Sequence, residues 1–497
     1  MSKNKPTTQE LGKVRPRADR LLAWSALTGM AVFAVVFAKE RLYADGAYFL
    51  IQVIKTEGFH VINGRWLIPM IQWLPLMGVH LELSMETLIT LFSVANVAMA
   101  ALLYVFSAQV LRDRDAGLVL VSTQFVGVTH ALFCPIFEFY YGAMLLVLFV
   151  AVQRNTLIAP HTRMALLAVL FVLVASSHFV GLLVMLFVLV VGRIWLDRPL
   201  TITLSVLLTV LLAHRLVFLS TYESDAFEHV FWRLENWGVP WIFAPGRLLG
   251  HMEHVLFHYP DTLALGALAA VVMVRAKDLH GLFLYLGGLF AMYVLISLYY
   301  PDATHERYRE ILDYSPTAWT LLVILMRVIH RPGARPWVLG LLAVTLVLRL
   351  AWSTHVGRTY NERTAWMEGR IADARSLKIR RAVVLDQKTF RPPGHRVRPL
   401  EPLSLNEVLL LSACQGPDQV VVLVPIKGEQ LRPDLTSWLD AQFATYGTEL
   451  PTDPKGRYFH MVKNEFVVLP ERVDGSLLHP GVDHLQAVQP EAEDVLR

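Results

Sequence analysis

Two acids, a group of arginines and a set of histidines in this chain stand where side chains of their type can do chemistry. Asp45, in Glu40-Arg41-Leu42-Tyr43-Ala44-Asp45-Gly46, follows the first long apolar run. After it, Gln52, Lys55 and Thr56 recur at helical spacing opposite Tyr48, Ile51, Val53 and Ile54, the pattern of an amphipathic helix lying along an interface. A carboxylate at the start of such a helix is favoured in its ionised form, so it can act as a general base, hold a metal or simply cap the helix. Glu138 stands in Cys134-Pro135-Ile136-Phe137-Glu138-Phe139-Tyr140-Tyr141, a short turn between two apolar runs. Charge there is costly unless it is used or paired with a neighbouring arginine. Asp45 and Glu138 together could form a two-carboxylate site at the outer surface.

Positive charge gathers around these acids. Arg65, in Asn63-Gly64-Arg65-Trp66, precedes an apolar stretch too short to span a bilayer and faces the headgroup layer, where a guanidinium grips a phosphate bidentately or snorkels. The segment His305-Glu306-Arg307-Tyr308-Arg309-Glu310 adds two arginines around a tyrosine. His251, His254 and His258 fall at i, i+3 and i+7 on one helix face. A metal site or a satisfied interfacial histidine cluster would both look like this, and the HExxH spacing is lacking. Arg215 and Arg349 lie in the outer ends of apolar runs, where each needs an anionic partner or must snorkel.

For these residues to meet, distant segments must reach one face of a membrane. The chain has 497 residues, 55% hydrophobic and only 17% charged, with a mean hydropathy of +0.45. A soluble domain carries about 25% charged residues, so a disordered or soluble protein is excluded. Eleven apolar runs can be read near 21–38, 86–110, 116–133, 140–153, 164–177, 179–192, 201–219, 262–274, 281–299, 315–329 and 336–352. Lys and Arg crowd the N-terminus and every second connection: Arg112 and Arg114, Arg154 and Arg163, Arg193 and Arg198, Arg275 and Lys277, then Arg327, Arg331 and Arg335. By the positive-inside rule those connections are cytoplasmic. The alternate loops 39–85, 134–139, 220–261 and 300–314 face outward. The formal net charge of +4 is modest and forms no continuous stripe, so nucleic acid is not an expected partner. Cys134 and Cys414 leave room for a single long-range bridge.

The organisation that follows is a cytoplasmic segment 1–20, a membrane part 21–352 and an extracytoplasmic tail 353–497. In the tail, strand-like runs at Ala382–Leu385, Val420–Val424, Tyr458–Val462 and Phe466–Leu469 alternate with helix-like stretches at Asn361–Ala374, Ser404–Leu411 and Asp434–Tyr446. Alternation of that kind reads as a small α/β domain.

An acid in the first outward loop, an interfacial helix behind it, a second acid in the next outward loop and a late loop carrying Arg307-Tyr308-Arg309 resemble the GT-C superfamily. These are polytopic glycosyltransferases that use polyprenyl-phosphate-linked sugars on the outer side of the membrane. The resemblance covers residues 21–352; many members pair two acids in the first loop, where here Gly46 follows Asp45. It implies an all-α polytopic bundle of about 11 membrane helices with a small C-terminal α/β domain in the extracytoplasmic space, the periplasm in a bacterium. It further implies that Asp45 takes the proton of an acceptor hydroxyl, with inversion at the sugar, and that Glu138 orients the acceptor or shares a divalent cation, Mg or Mn, with Asp45. Arg65, Arg307, Tyr308 and Arg309 would hold the lipid phosphate, with His251, His254, His258 and His305 as secondary candidates. The partners implied are the lipid-linked sugar, a glycan, lipid or protein acceptor, and the bilayer. Two other classes compete: a transporter or flippase of a lipid-linked or anionic substrate, and a non-catalytic membrane scaffold whose outward domain binds a partner.

Overall fold

The apolar runs fold as helices because no polar backbone can be left unpaired in hydrocarbon. The computed structural model describes residues 16–62, 64–217, 221–299, 306–385, 404–426, 434–439, 456–460, 465–473 and 476–478. In chain order the helices are α1 (Pro16–Val36), α2 (Asp45–Thr56), α3 (Pro69–His80), α4 (Met85–Val105), α5 (Arg114–Ser122), α6 (Glu138–Arg154), α7 (Pro160–Ser177) and α8 (Phe179–Val191). They continue with α9 (Arg198–Val217), α10 (Thr221–Trp237), α11 (Pro245–His258), α12 (Pro260–Arg275), α13 (Leu279–Tyr299), α14 (Glu306–Val323), α15 (Ala334–Ser376) and α16 (Ser404–Ala413). Local signals set several ends: Ser84 accepts from the Thr87 amide to start α4, and Asp113 accepts from the Ala116 amide at 2.9 Å to start α5. Extended backbone at His178 separates α7 from α8.

Among the described residues, five helices are long and apolar enough to cross a membrane: Ala18–Val36, Met85–Val110, Pro160–Ser177, Leu279–Tyr299 and Ala334–Ser376. The pair α11 and α12, bent by 98°, makes a sixth if taken as one span. These fit an integral membrane protein. The run 116–133 departs from expectation. Only α5 is helical there, and residues 123–137 form a buried, mostly irregular segment with one 3-10 turn at His130–Leu132. Non-helical backbone at that depth must find partners within the protein. Two carboxylates supply them: the amide of Gly127 donates to Asp261, and those of Thr129, His130 and Ala131 donate to Glu310 at 2.9–3.2 Å. Gly127 is the pivot, with φ +66° and a virtual Cβ only 2.4 Å from Thr317 Oγ1.

Ion pairs gather several of the connections into two groups, at opposite ends of α6. At the basic end Arg335 bridges Asp19 and Asp115, Arg331 meets Asp278 at 3.3 Å and Arg327 donates to the Val191 carbonyl. At the opposite, loop end, Arg65 meets Glu138, Arg349 meets Asp261 and His254 meets Asp313.

The run 336–352 and the helical stretch 361–374 prove to be one helix, α15, of 43 residues. At about 1.5 Å per residue it measures roughly 64 Å, twice the hydrocarbon thickness, so its second half projects beyond the loop end. There a parallel sheet forms from β1 (Arg381–Val384), β2 (Val422–Pro425) and β3 (Val467–Val468) in the order β2-β1-β3, Ala382 standing opposite both Leu423 and Val467. α16 makes the crossover from β1 to β2, and all ten of its residues are buried, packed against β2, α15 and α2. β4 (Glu471–Val473) and β5 (Ser476–Leu478) pair as an antiparallel hairpin. Tyr458, Phe459 and His460 are not in a strand, contrary to the alternation; the rest of that run, and 440–446, lie outside the described residues. Cys134 and Cys414 are both free thiols, so the one bridge the sequence allowed is not made.

Candidate functional site

Asp45 occupies the first position of α2, partly exposed, where the unsatisfied amides of the first turn favour negative charge. The residue before it is strained: Ala44 has φ 57° and ψ −115°, a conformation that costs about 1–3 kcal/mol outside glycine. Its amide donates to Glu407 Oε1 at 3.0 Å, and Glu407 receives Arg363 on both carboxylate oxygens. All three groups are buried to within a few per cent. The tail domain therefore reaches through α16 to hold the turn that presents Asp45. Gly46 is a packing requirement, because a Cβ there would lie 2.8 Å from the Arg41 carbonyl oxygen. Arg41, itself buried, ties the turn to Asn96 at 2.7 Å, to the Ser93 carbonyl and to the carbonyl of Leu132; burial pushes its pKa down to about 10.

Glu138 begins α6 and is buried, paired with Arg65 at 2.8 Å. Burial raises its carboxyl, Arg65 opposes that rise, and Asp45 is near enough that its charge adds to the rise. The structure thus brings Asp45, Glu138 and Arg65 into one neighbourhood, with Glu138 engaged in the ion pair that was the alternative to its use. His178 joins from the α7–α8 turn: burial, then the charges of Arg65 and Arg215, hold it down to about 3, so the imidazole is neutral. On the other side of Asp45, Tyr48 feels the Asp45 charge and its hydroxyl lies 3.3 Å from His60 Nε2.

A third group of contacts runs down α15, where Tyr360 and Arg363 lie about three and four turns beyond Arg349 on one face. Arg349 meets its expected anion: its Nε donates to Asp261 at 2.7 Å, and the side chain also reaches Thr129 Oγ1 and the His258 carbonyl. Tyr360 stacks on Phe133 at 4.1 Å, meets Tyr43 edge-on and shares a hydrogen bond with His130 Nδ1 at 3.1 Å. Arg363 lies 4.9 Å over the Tyr43 ring. The Asp45 turn and the buried segment 123–137 are thus braced by a single helix.

The histidine face does not act as a unit. His251 packs edge-on against Tyr293, whereas His254 pairs with Asp313 at 2.8 Å and lies 4.4 Å from the His258 ring. Among the described residues no three His, Cys, Asp or Glu side chains converge as a metal would require. Glu138 is already neutralised by Arg65, which leaves a cation between Asp45 and Glu138 poorly matched to the donors there. Arg307, Tyr308 and Arg309 fall in the first turn of α14, next to the Glu310 that caps the 129–131 amides; their side chains, and His305 altogether, lie outside the described residues. Comparison of the chain with family models, with curated proteins and with solved structures gives no match in any of the three.

Sequence reading missed Glu407, Arg363 and His130. Glu407 carried a signal, being the one charge in the otherwise largely apolar stretch Ser404–Ala413. His130 carried none, because hydropathy treats the buried irregular segment as a helix.

Proposed function

We propose that this protein is a membrane glycosyltransferase of GT-C type that transfers a sugar from a polyprenyl phosphate to an acceptor at the loop end of the bundle, which faces the extracytoplasmic side. The observation that carries this reading is the neighbourhood of Asp45 with the Glu138–Arg65 pair, at the mouth of an interfacial helix. Asp45 accepts the proton of the acceptor hydroxyl as its oxygen bonds to the anomeric carbon. The bond from that carbon to the phosphate oxygen breaks, and polyprenyl phosphate departs with the electron pair, inverting the centre. Arg65 draws charge toward the site while Glu138 fixes its guanidinium and orients the acceptor. Arg307 and Arg309, with Tyr308, neutralise the leaving phosphate, a role worth about 2.7–4 kcal/mol per donor in comparable sites. No step calls for a cation. The eleven-span topology, with an inward N-terminus and an outward tail, belongs to the same proposal.

Purified protein in nanodiscs, given a panel of synthetic polyprenyl-phosphate hexoses and pentoses, tests it. Release of polyprenyl phosphate from at least one donor is expected, falling by about 10²–10⁴-fold in Asp45→Asn while the melting temperature holds. Equal release by Asp45→Asn, or none by the native chain from any donor, overturns the assignment in favour of transport or scaffolding.

A further inference from the structure

The basic end carries a cleft that the proposed transfer does not use. It has a volume of about 990 Å³ and opens where α1 begins, α4 ends, α5 begins and α6 ends. Five guanidiniums line it, those of Arg20, Arg112, Arg114, Arg154 and Arg335, against three carboxylates. The carboxylates are occupied: Asp113 caps the Ala116 amide, while Asp19 and Asp115 both clamp Arg335. Arg154 is held by the Leu325 carbonyl and His330. That leaves Arg20, Arg112 and Arg114, all exposed, with no ion pair among the described residues. Arg112 is held at φ 59°, a backbone state that ordinary residues avoid.

Beside the polar Gln109, Asn155, Thr156 and His330, the lining has an apolar part that includes Trp24 and Tyr104. Trp24 and Tyr104 meet edge-on at 5.6 Å in the wall, and Arg20 and Arg114 lie close enough for their charges to act on Tyr104. Trp24 lies six residues into the span that starts at Ala18, about 9 Å along the helix, so the wall reaches hydrocarbon depth while the arginines stay at the polar edge. Solvated arginines of a positive-inside rim need neither a concave site nor an aromatic wall.

We propose that this cleft binds the phosphate of an anionic phospholipid, its headgroup on Arg20, Arg112 and Arg114 and an acyl chain along Trp24 and Tyr104. The shared chemistry is a phosphate; the apolar wall assigns it to a lipid rather than to a soluble anion. The site lies at the end opposite Asp45 and stands whether or not sugar transfer does.

Native mass spectrometry of the full chain released from nanodiscs reads this out, with phosphatidylglycerol, phosphatidylcholine and inorganic phosphate as probes. Phosphatidylglycerol is expected to be retained over phosphatidylcholine, and millimolar inorganic phosphate to leave it in place. Arg112→Ala with Arg114→Ala should weaken retention about 30-fold, while Arg275→Ala with Lys277→Ala, on another connection of the same end, should not. Arg112→Gly, which suits the positive φ, serves as a second variant that keeps the fold and still loses affinity. Trp24→Ala should weaken lipid retention as well. Undiminished retention in both arginine variants, equal loss in the control pair, or displacement by inorganic phosphate would each overturn the lipid site.

Discussion

The two ends of the bundle carry similar numbers of charges and use them in opposite ways. At the loop end guanidiniums are absorbed by carboxylates: Arg65 by Glu138, Arg349 by Asp261 and Arg363 by Glu407, all in buried or half-buried settings. At the basic end carboxylates are absorbed, and exposed arginines remain around an open cleft. Buried pairs contribute little net stability but penalise any rearrangement that strands one partner. The loop end is therefore a fixed scaffold around Asp45, and the basic end is a receptive surface for negative charge. The difference teaches that the number of charges in a loop says less than whether each of them has a partner.

The comparison breaks most sharply at Asp45. Beyond the rate loss of Asp45→Asn, the rigid-scaffold view demands that substitutions behind Asp45 cost stability and rate together. Glu407→Ala strands Arg363 in a site where it is 1% exposed and frees the strained Ala44 turn. Thermal unfolding should register a loss of about 3–5 kcal/mol. Glu407→Gln, which keeps an acceptor for the Ala44 amide, should recover part of the rate. If either variant unfolded like the native chain, the tail domain would not be the support of the site. Gly127→Ala comes next: a Cβ collides with Thr317 in a backbone region that alanine avoids, so a destabilisation of about 1–3 kcal/mol is expected.

Arg65→Gln probes the ion pair by titration. Burial already raises the Glu138 carboxyl, and Arg65 is the group that restrains it. Without the guanidinium the carboxyl rises further and takes up its proton at higher pH. If ionised Glu138 is required, the acid limb of the pH–rate profile moves upward; an unmoved limb assigns Glu138 a purely structural place.

How far the sequence carried these conclusions depends on the element. Amphipathic spacing after Asp45 was enough to start α2 at that residue, and the cost of charge in an apolar run left Arg349 either an anionic partner or snorkelling, of which Asp261 supplies the first. The 116–133 run was misread because hydropathy scores side chains and cannot see backbone. Gly127 and Pro135 were the visible warnings, but the rescuing carboxylates, Asp261 and Glu310, lie more than a hundred residues downstream. The His251, His254 and His258 face, read as either a metal site or a satisfied cluster, meets the same limit. Helical spacing makes residues neighbours on one helix, while their partners, Tyr293 and Asp313, come from two others.

The smallest effect separates the support of α2 from its charge. His60 is clasped to Gln72 by two hydrogen bonds of 2.7 and 2.9 Å, and burial lowers its pKa below the ordinary histidine value. As pH falls through that ordinary value, the unfolded chain takes up a proton at His60 before the folded chain does, so stability declines with acidification. His60→Asn removes this contribution. The native chain should therefore lose slightly more melting temperature than the variant between pH 7.5 and 5.5, by roughly 1 °C or less for a partly solvated ring. A larger loss in the variant would mean that protonated His60 is stabilised by Asp45 across Tyr48, and the loop end would then share the acid-binding plasticity assigned here to the other end alone.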